Sequence, residues 1–300
     1  MLSKIKKYSK SLFWQLPVAG DYVKNKIIQK RYQVELALIE GRHRNENNHP
    51  SIIHFSVNKS ATQYVKQLLK RCAAEKGMIH ADIHDYAFST GFPFLDLLSA
   101  VEMQKYQHLF FPTGYLYSVF GGMIEGIPEL ERYLIVLMVR DPRDVLVSSY
   151  YSLAYSHSTP YKSSGKYEKF MQERKLAQKS TIDEYVITES DRLCNIYRRY
   201  NELLLDKYPQ VYLTRYEDMT SDFREWIKNL LNYCKLDINQ QMLQSLIEKN
   251  KRLQPKKENI HKHLRKGKAG DYKEKLKPET VELLNSKLFT ILKAFKYNIN

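Results

Sequence analysis

The segment LIVLMV (134–139) runs directly into RDPRDVLVSSYYS (140–152). Six apolar residues without a polar break read as a strand buried on both faces, which is the signature of a parallel sheet. Asp141 suits a helix N-cap and Pro142 the first helical position, so a helix is predicted over 142–155. Arg140 then stands at the carboxyl end of a buried strand, the edge of an α/β sheet where ligands bind. Ser148 lies two turns into the helix. A guanidinium fork plus a hydroxyl suits a phosphate monoester. The plain alternative is that Arg140 and Arg143 pair with Asp141 and Asp144.

Working outward, SIIHFSV (51–57) is β-branched and aromatic and reads as a strand, followed by a turn and a helix on which Tyr64, Val65, Leu68, Leu69 and Cys72 keep the helical period. PFLDLLSAVEMQKY (93–106) predicts a helix, HLFFPTGYLYSVF (108–120) a strand broken by Pro112 and Gly114, 181–208 a long helix and VYLTRY (211–216) a further strand. Residues 156–181 are polar and predict a loop with one short helix. Helices follow 211–216, and a last one closes the chain after an irregular basic stretch at 251–277. Strands alternating with helices imply βαβ units: an α/β fold with a mainly parallel sheet covered on both faces. No repeat and no low-complexity linker divides it. The expected division is an N-terminal helical, basic extension (1–48) and one domain (49–300).

The chain has 300 residues and a net charge of +15. Residues 1–31 carry a surplus of seven positive charges and residues 249–277 a surplus of nine, leaving about −1 for everything else. Two local patches favour anions: nucleic acid, an anionic membrane surface or a phosphorylated small molecule. Neither patch matches a nucleic-acid-binding motif. The N-terminal patch is equally a solvated face or a weak membrane-surface contact. Three scattered cysteines, Cys72, Cys194 and Cys234, show no metal spacing and suggest a reducing, cytoplasmic setting. SLFWQLPVAG (11–20) is too short and too interrupted to span a bilayer, and no signal peptide is read from it.

Two further segments carry chemistry. VNKSATQYV (57–65) joins a strand to a helix, where backbone N–H groups and a turn lysine attract an anion, and Ser60 and Thr62 can donate hydroxyls. No GxxxxGK[ST] occurs, which disfavours ATP hydrolysis of the Walker type. A capped helix is the bland reading of this turn. HLRKGKAGDY (263–272) offers a guanidinium, an ammonium and a glycine whose backbone can approach an oxyanion; a solvated basic loop is its alternative.

Together these segments resemble the sulfotransferases that use PAPS (3′-phosphoadenosine 5′-phosphosulfate). The family's PKSGTTW loop is similar to NKSATQY, in which Lys59, Ser60 and Thr62 match while Ala61, Gln63 and Tyr64 differ. Its strand-end Arg with a Ser eight residues on resembles Arg140 and Ser148, and its RKGxxGDW resembles RKGKAGDY, with Arg265, Lys266 and Gly267. TRYEDM (214–219) is similar to its YED segment, which places Tyr216 near an adenine. The resemblance spans about residues 50–290. It implies a P-loop-like three-layer α/β/α sandwich, PAPS as sulfuryl donor without a metal, and Lys59 as a catalytic cation. The acceptor it implies is a small molecule, carbohydrate or lipid. One departure matters: where relatives have a KTHLP-like strand supplying the base, this chain has GYLYSVF (114–120), with neither Lys nor His. Asp82, His84, Asp85, His108 and His157 are the candidates for that base, and the 82–85 cluster, His84 in it, leads because a strand should end just before it. In residues 156–181, Tyr161, Tyr167 and Phe170 could give apolar contacts to an acceptor, and Lys162, Lys166 and Lys169 could attract an anionic one.

Overall fold

The structure is a computed structural model and describes residues 26–42, 45–160, 166–253, 255, 257–262 and 265–299. Five strands, β1 (Ile52–Ser56), β2 (Ile79–Ala81), β3 (Tyr115–Phe120), β4 (Leu134–Val139) and β5 (Tyr212–Arg215), form one sheet in the order β2-β3-β1-β4-β5. Every pairing is parallel. The alternation of side chains splits the core in two. Ile52, Leu116, Val136 and Met138 face one layer; Ile53, Phe55, Tyr117, Ile135, Leu137 and Val139 face the other. All ten are essentially inaccessible, which is why β4 shows no polar break, and each such side chain contributes about 1.5–3 kcal/mol by leaving water.

Apart from short stretches at 26–31 and Ala100–Met103, the helices are α1 (Gln33–Ile39), α2 (Thr62–Glu75), α3 (Ile83–Ser89), α4 (Pro142–Tyr151), α5 (Tyr167–Lys179), α6 (Ile182–Tyr200), α7 (Tyr216–Ser221), α8 (Phe223–Tyr233), α9 (Gln240–Leu253), α10 (Tyr272–Lys275), α11 (Pro278–Lys287) and α12 (Phe289–Ala294). Val65, Leu68 and Leu69 of α2, Trp226 of α8 and Leu246 of α9 cover one face; Val145 of α4, Tyr197 of α6 and Leu292 of α12 cover the other. The α/β/α sandwich read from the sequence is therefore the observed fold. The chain turns from β1 toward β2 on one side and from β4 toward β5 on the other, so the ends of β1 and β4 flank a topological switch point, where such sheets bind ligands.

Several elements differ from expectation. Residues 93–106 are not one helix: a 3-10 turn (Leu95–Leu97) is followed by a new start at Ala100–Met103, because Ser99 is extended and forms a capping box with Glu102. Strand β3 begins only at Tyr115, since Pro112 offers no N–H and Gly114 takes a left-handed φ of 83° to aim its N–H at His49 O. The 156–181 stretch holds a 13-residue helix, α5, instead of a loop with a short one. A π-turn at Ser152–Ser156 leaves the carbonyls of Leu153 and Ala154 available, and Arg174 and Gln178 of α5 donate to them at 2.8 Å each. Tyr161 and Lys162 lie outside the described residues, as do residues 1–25. The helical N-terminal stretch that is described runs over 26–31, pauses at Tyr32 and resumes as α1, whose Leu38 enters the core.

Candidate functional site

The loop after β1 is a tight turn between a strand and a helix. Val57 N binds Met138 O, so the chain leaves the sheet beside β4. It then turns through two left-handed residues, Lys59 (φ 73°) and Ala61 (φ 58°), before α2 begins at Thr62. Non-glycine residues held in that region cost about 1–3 kcal/mol and gather at functional sites. The Thr62 hydroxyl donates to Val57 O at 3.2 Å and sits 2.9 Å from Ser56 Oγ, so it fastens the loop from beneath. Ser60 Oγ is buried and, among the described residues, finds no hydrogen-bond partner. Gln63 is exposed, and Tyr64 packs its ring 6.1 Å from that of Phe223.

Arg140 continues β4 into the same crevice. Its Nη1 donates to Lys59 O (3.1 Å) and its Nη2 to Lys268 O (3.2 Å), while Asp144 is further off at 3.4 Å. The guanidinium lies over the Tyr216 ring at 4.3 Å. Its Nε is buried without a partner among the described residues. Arg143 answers differently: it is wholly engaged with Asp141, Asn285 and the Asn298 carbonyl. The charge-pairing alternative thus holds for Arg143 and only loosely for Arg140.

The third segment arrives through Asp144. This buried carboxylate accepts from Gly270 N (2.7 Å) and Tyr272 N (2.9 Å), which sets the 265–272 turn against α4. Burial raises its pKa, and the nearby Arg140 opposes that shift. Gly267 and Gly270 take φ of 70° and 80°, which side chains resist. Arg265 pairs with Glu258 and Asp271, and Lys266 with Asp271 at 2.9 Å, so this loop is locally neutralised and is not a bare basic surface. Arg265 also stacks on Tyr151 at 4.4 Å, one turn beyond Ser148 on the same helix face.

Lys59 and Arg140 share one mouth. Burial, and then the charge of Arg140, pull the Lys59 pKa down to about 8. Two cations, unpartnered Ser60 Oγ and Arg140 Nε, and the first-turn amides of α2 form a place that an anion would satisfy. The residues fit a phosphate-bearing ligand. Among the described residues no group of three His, Cys, Asp or Glu is arranged to hold a metal ion, and no helix is long and apolar enough to cross a membrane.

The five candidate bases separate. Asp82 caps α3, pairs with Lys66 at 2.7 Å and accepts nothing from the crevice. Its own N–H donates to Glu35 Oε1. Asp85 is held by Arg31 (2.6 Å) and Tyr32 (2.9 Å). His108 is exposed on the 3-10 turn that precedes β3, whereas Lys59 and Arg140 follow strand ends. His157 binds Ser158 O and stacks near Phe170. His84 follows β2, as expected of the 82–85 cluster, and keeps its side chain 34% exposed with Asp96 Oδ1 3.7 Å from Nδ1. A glycine pair, Gly121–Gly122, links this corner to the β1 loop: a Cβ on Gly121 would stand 3.5 Å from Asn58 Nδ2, and one on Gly122 would stand 3.0 Å from Asp96 Oδ2. Asp96 and the Lys268 carbonyl escaped the reading of the sequence, and Asp144 entered it only as a partner for the arginines, not as the acceptor for the Gly270 and Tyr272 amides.

The sulfotransferase domain model matches residues 49–288. No curated protein matches the chain. Among solved structures, mouse sulfotransferase SULT7A1 complexed with PAP is 14% identical over 85% of this chain and 89% of its own, with a TM-score of 0.48. Retinol dehydratase in complex with retinol and PAP is 15% identical over 88% and 86%, with a TM-score of 0.46. Retinol dehydratase with androsterone and inactive cofactor PAP is 14% identical over 82% and 81%, with a TM-score of 0.45. With the family model covering most of its length, this chain belongs to the sulfotransferase domain family.

Proposed function

We propose that the protein transfers a sulfuryl group from PAPS to a hydroxyl or amine of an acceptor and releases adenosine 3′,5′-bisphosphate. The observation that carries this reading is the crevice between β1 and β4, where Arg140 meets the Lys59 carbonyl and two buried polar atoms, Ser60 Oγ and Arg140 Nε, lack partners among the described residues. PAPS supplies the sulfuryl group on an activated phosphate. In this reading Lys59, Ser60, Thr62 and the first amides of α2, with Ala61, Gln63 and Tyr64 shaping the turn, take the 5′ end. Arg140, Ser148, Arg265, Lys266 and the Gly267 backbone take the 3′-phosphate, and Tyr216 lies against the base. Lys59 meets negative charge as it grows on the leaving phosphate, so its effect is larger in the transition state than in the ground state. His84 takes the acceptor's proton.

The test is incubation with labelled PAPS and a panel of phenols, carbohydrates and lipid alcohols, read as label transferred. Alongside it, adenosine 3′,5′-bisphosphate should raise the melting temperature more than 5′-AMP does. Arg140→Ala should remove that difference by weakening bisphosphate binding by ~2–4 kcal/mol. Equal shifts from both nucleotides would remove the 3′-phosphate site. A second reading, a PAPS-binding protein without turnover, is favoured by β3, whose YLYSVF supplies no Lys or His. Tight bisphosphate binding with no label transferred to any acceptor class selects it.

A further inference from the structure

Beside the crevice, one carboxylate stands in an unusual setting. Asp96 lies in the 3-10 turn Leu95–Leu97 with its side chain 9% exposed. Its Oδ1 is buried and has no hydrogen-bond partner among the described residues, and it faces His84 Nδ1 at 3.7 Å. On its other side the backbone of Gly122 closes in so tightly that a Cβ there would sit 3.0 Å from Oδ2 and 3.3 Å from the Asp96 Cβ. His84 is held from a further direction by Phe94, ring centroids 4.9 Å apart. The carboxylate is thus wedged between a glycine wall and an imidazole, and the same glycine pair abuts Asn58, the residue before Lys59.

A buried carboxylate oxygen without a donor is costly. The imidazole, with Nδ1 3.7 Å away, is a group able to offer it a proton. A histidine that points Nδ1–H at a carboxylate keeps the Nε2 lone pair free on the opposite side of the ring. This is the arrangement that makes a histidine a directed base, with the carboxylate fixing tautomer and orientation and facing the positive charge that proton transfer creates. The 3.7 Å separation is an ion-pair distance, and such contacts shorten when the reacting complex closes.

We infer that Asp96 is the positioning residue for His84, and that Gly122 is the wall that holds it there. This rests on the reading of His84 as the base. In the step itself the acceptor's O–H proton goes to His84 Nε2 and the acceptor oxygen bonds to sulfur. The sulfur–oxygen bond to the phosphate breaks, and its electron pair stays on adenosine 3′,5′-bisphosphate. The imidazolium, facing Asp96 through Nδ1–H, then returns its proton to solvent.

The experiment is 15N spectroscopy of histidine-labelled protein saturated with adenosine 3′,5′-bisphosphate, which needs no acceptor. His84, assigned by its loss in His84→Ala, should be the Nδ1–H tautomer in the parent protein and shift toward Nε2–H in Asp96→Asn. Bisphosphate affinity should be unchanged in Asp96→Asn, which shows that the variant is folded. With the panel acceptor that takes most label, Asp96→Asn should lower kcat by roughly 10²-fold or more with little change in the KM for PAPS. The double variant should be no slower than His84→Ala, because the two side chains act as a unit. An unchanged tautomer, or full kcat in Asp96→Asn while His84→Ala is inactive, overturns the positioning role and leaves His84 standing. Full kcat in His84→Ala overturns the base itself, and the positioning role with it.

Discussion

Lys59 is the residue on which the most physics converges. It adopts a left-handed φ, it is half-buried, its carbonyl accepts from Arg140, and its ammonium feels the Arg140 charge. Its pKa near 8 follows from that crowding. In the free protein it therefore begins to lose its charge only slightly above neutral pH, and a bound anion would hold the proton on. The sign follows: protons and anion bind together, so affinity falls as pH rises past the free-state value. Calorimetric titration with adenosine 3′,5′-bisphosphate should show weaker binding at pH 9.5 than at pH 7, by at most about tenfold per pH unit for one proton. The dependence should vanish in Lys59→Met. A flat profile in the parent protein would mean that Lys59 does not face the ligand. Lys59 and Arg140 were legible in the sequence because each stands where a strand meets a helix, and strands were marked by apolar runs. Asp96 was not, since the single acid of LDLL (95–98) has no local pattern to distinguish it from a solvated one.

At the scale of elements, α4 and the 265–272 turn are held together by one carboxylate. Asp144 accepts from two backbone amides of that turn and lies 3.4 Å from Arg140. Asp144→Ala would leave two N–H groups without their acceptor and take the neighbouring negative charge from Arg140 in a buried place, a loss of about 3–5 kcal/mol. Urea unfolding should show a lower midpoint with an unchanged slope, and Asp144→Asn, which keeps one acceptor, should lose less. Equal stability of the Ala variant would mean that the turn is held elsewhere. Strands β1, β4 and β5 were readable as apolar or β-branched runs, α2 and α6 by the helical period of their buried residues, and α4 by its Asp141 cap and Pro142. The α5 helix was hidden for the opposite reason. Of its 13 residues only Ala177 is buried, and it is secured by polar side chains reaching carbonyls that a π-turn sets free. Such a partnership leaves no apolar stripe to read.

The molecule as a whole places a polar seam through its sheet. His54 sits at the centre of β1, fully buried, with Nδ1 2.9 Å from Ser118 Oγ on β3. His80 on β2 reaches the Ser118 carbonyl at 3.1 Å. Burial, then Lys66 and His80, hold the His54 pKa down to about 3, and burial holds that of His80 down to about 4. Both are neutral in the folded protein, while the unfolded chain takes up their protons near the ordinary histidine value. The unfolded state therefore binds more protons below about pH 6.5, and stability falls with acid through that window, by up to ~1.4 kcal/mol per pH unit for each histidine. Unfolding free energies measured from pH 7 to pH 4 should be shallower in His54→Gln by about one proton's slope. A parallel curve would show that His54 is protonated in the fold.

Charge at this scale was only partly legible. Within 249–277, Glu258, Asp271 and Glu274 take up Arg265, Lys266 and Lys275, so the surplus of nine is carried by the other nine basic residues of that stretch and not by the RKG turn. The strand order carries a different consequence. Strand β1 pairs with β3 on one edge and β4 on the other, and both lie far downstream. At a synthesis rate of ~5–20 residues per second, the roughly sixty residues between β1 and β3 take about 3–12 s to emerge from a ribosome. For that interval SIIHFSV has both hydrogen-bonding edges open and no native neighbour but the helix that follows it. An apolar, β-branched segment in that state is a hazard for intermolecular pairing. Production of this protein should therefore be governed by what shields its first strand during translation, such as slow growth in the cold or a holding chaperone, more than by the stability of the finished fold.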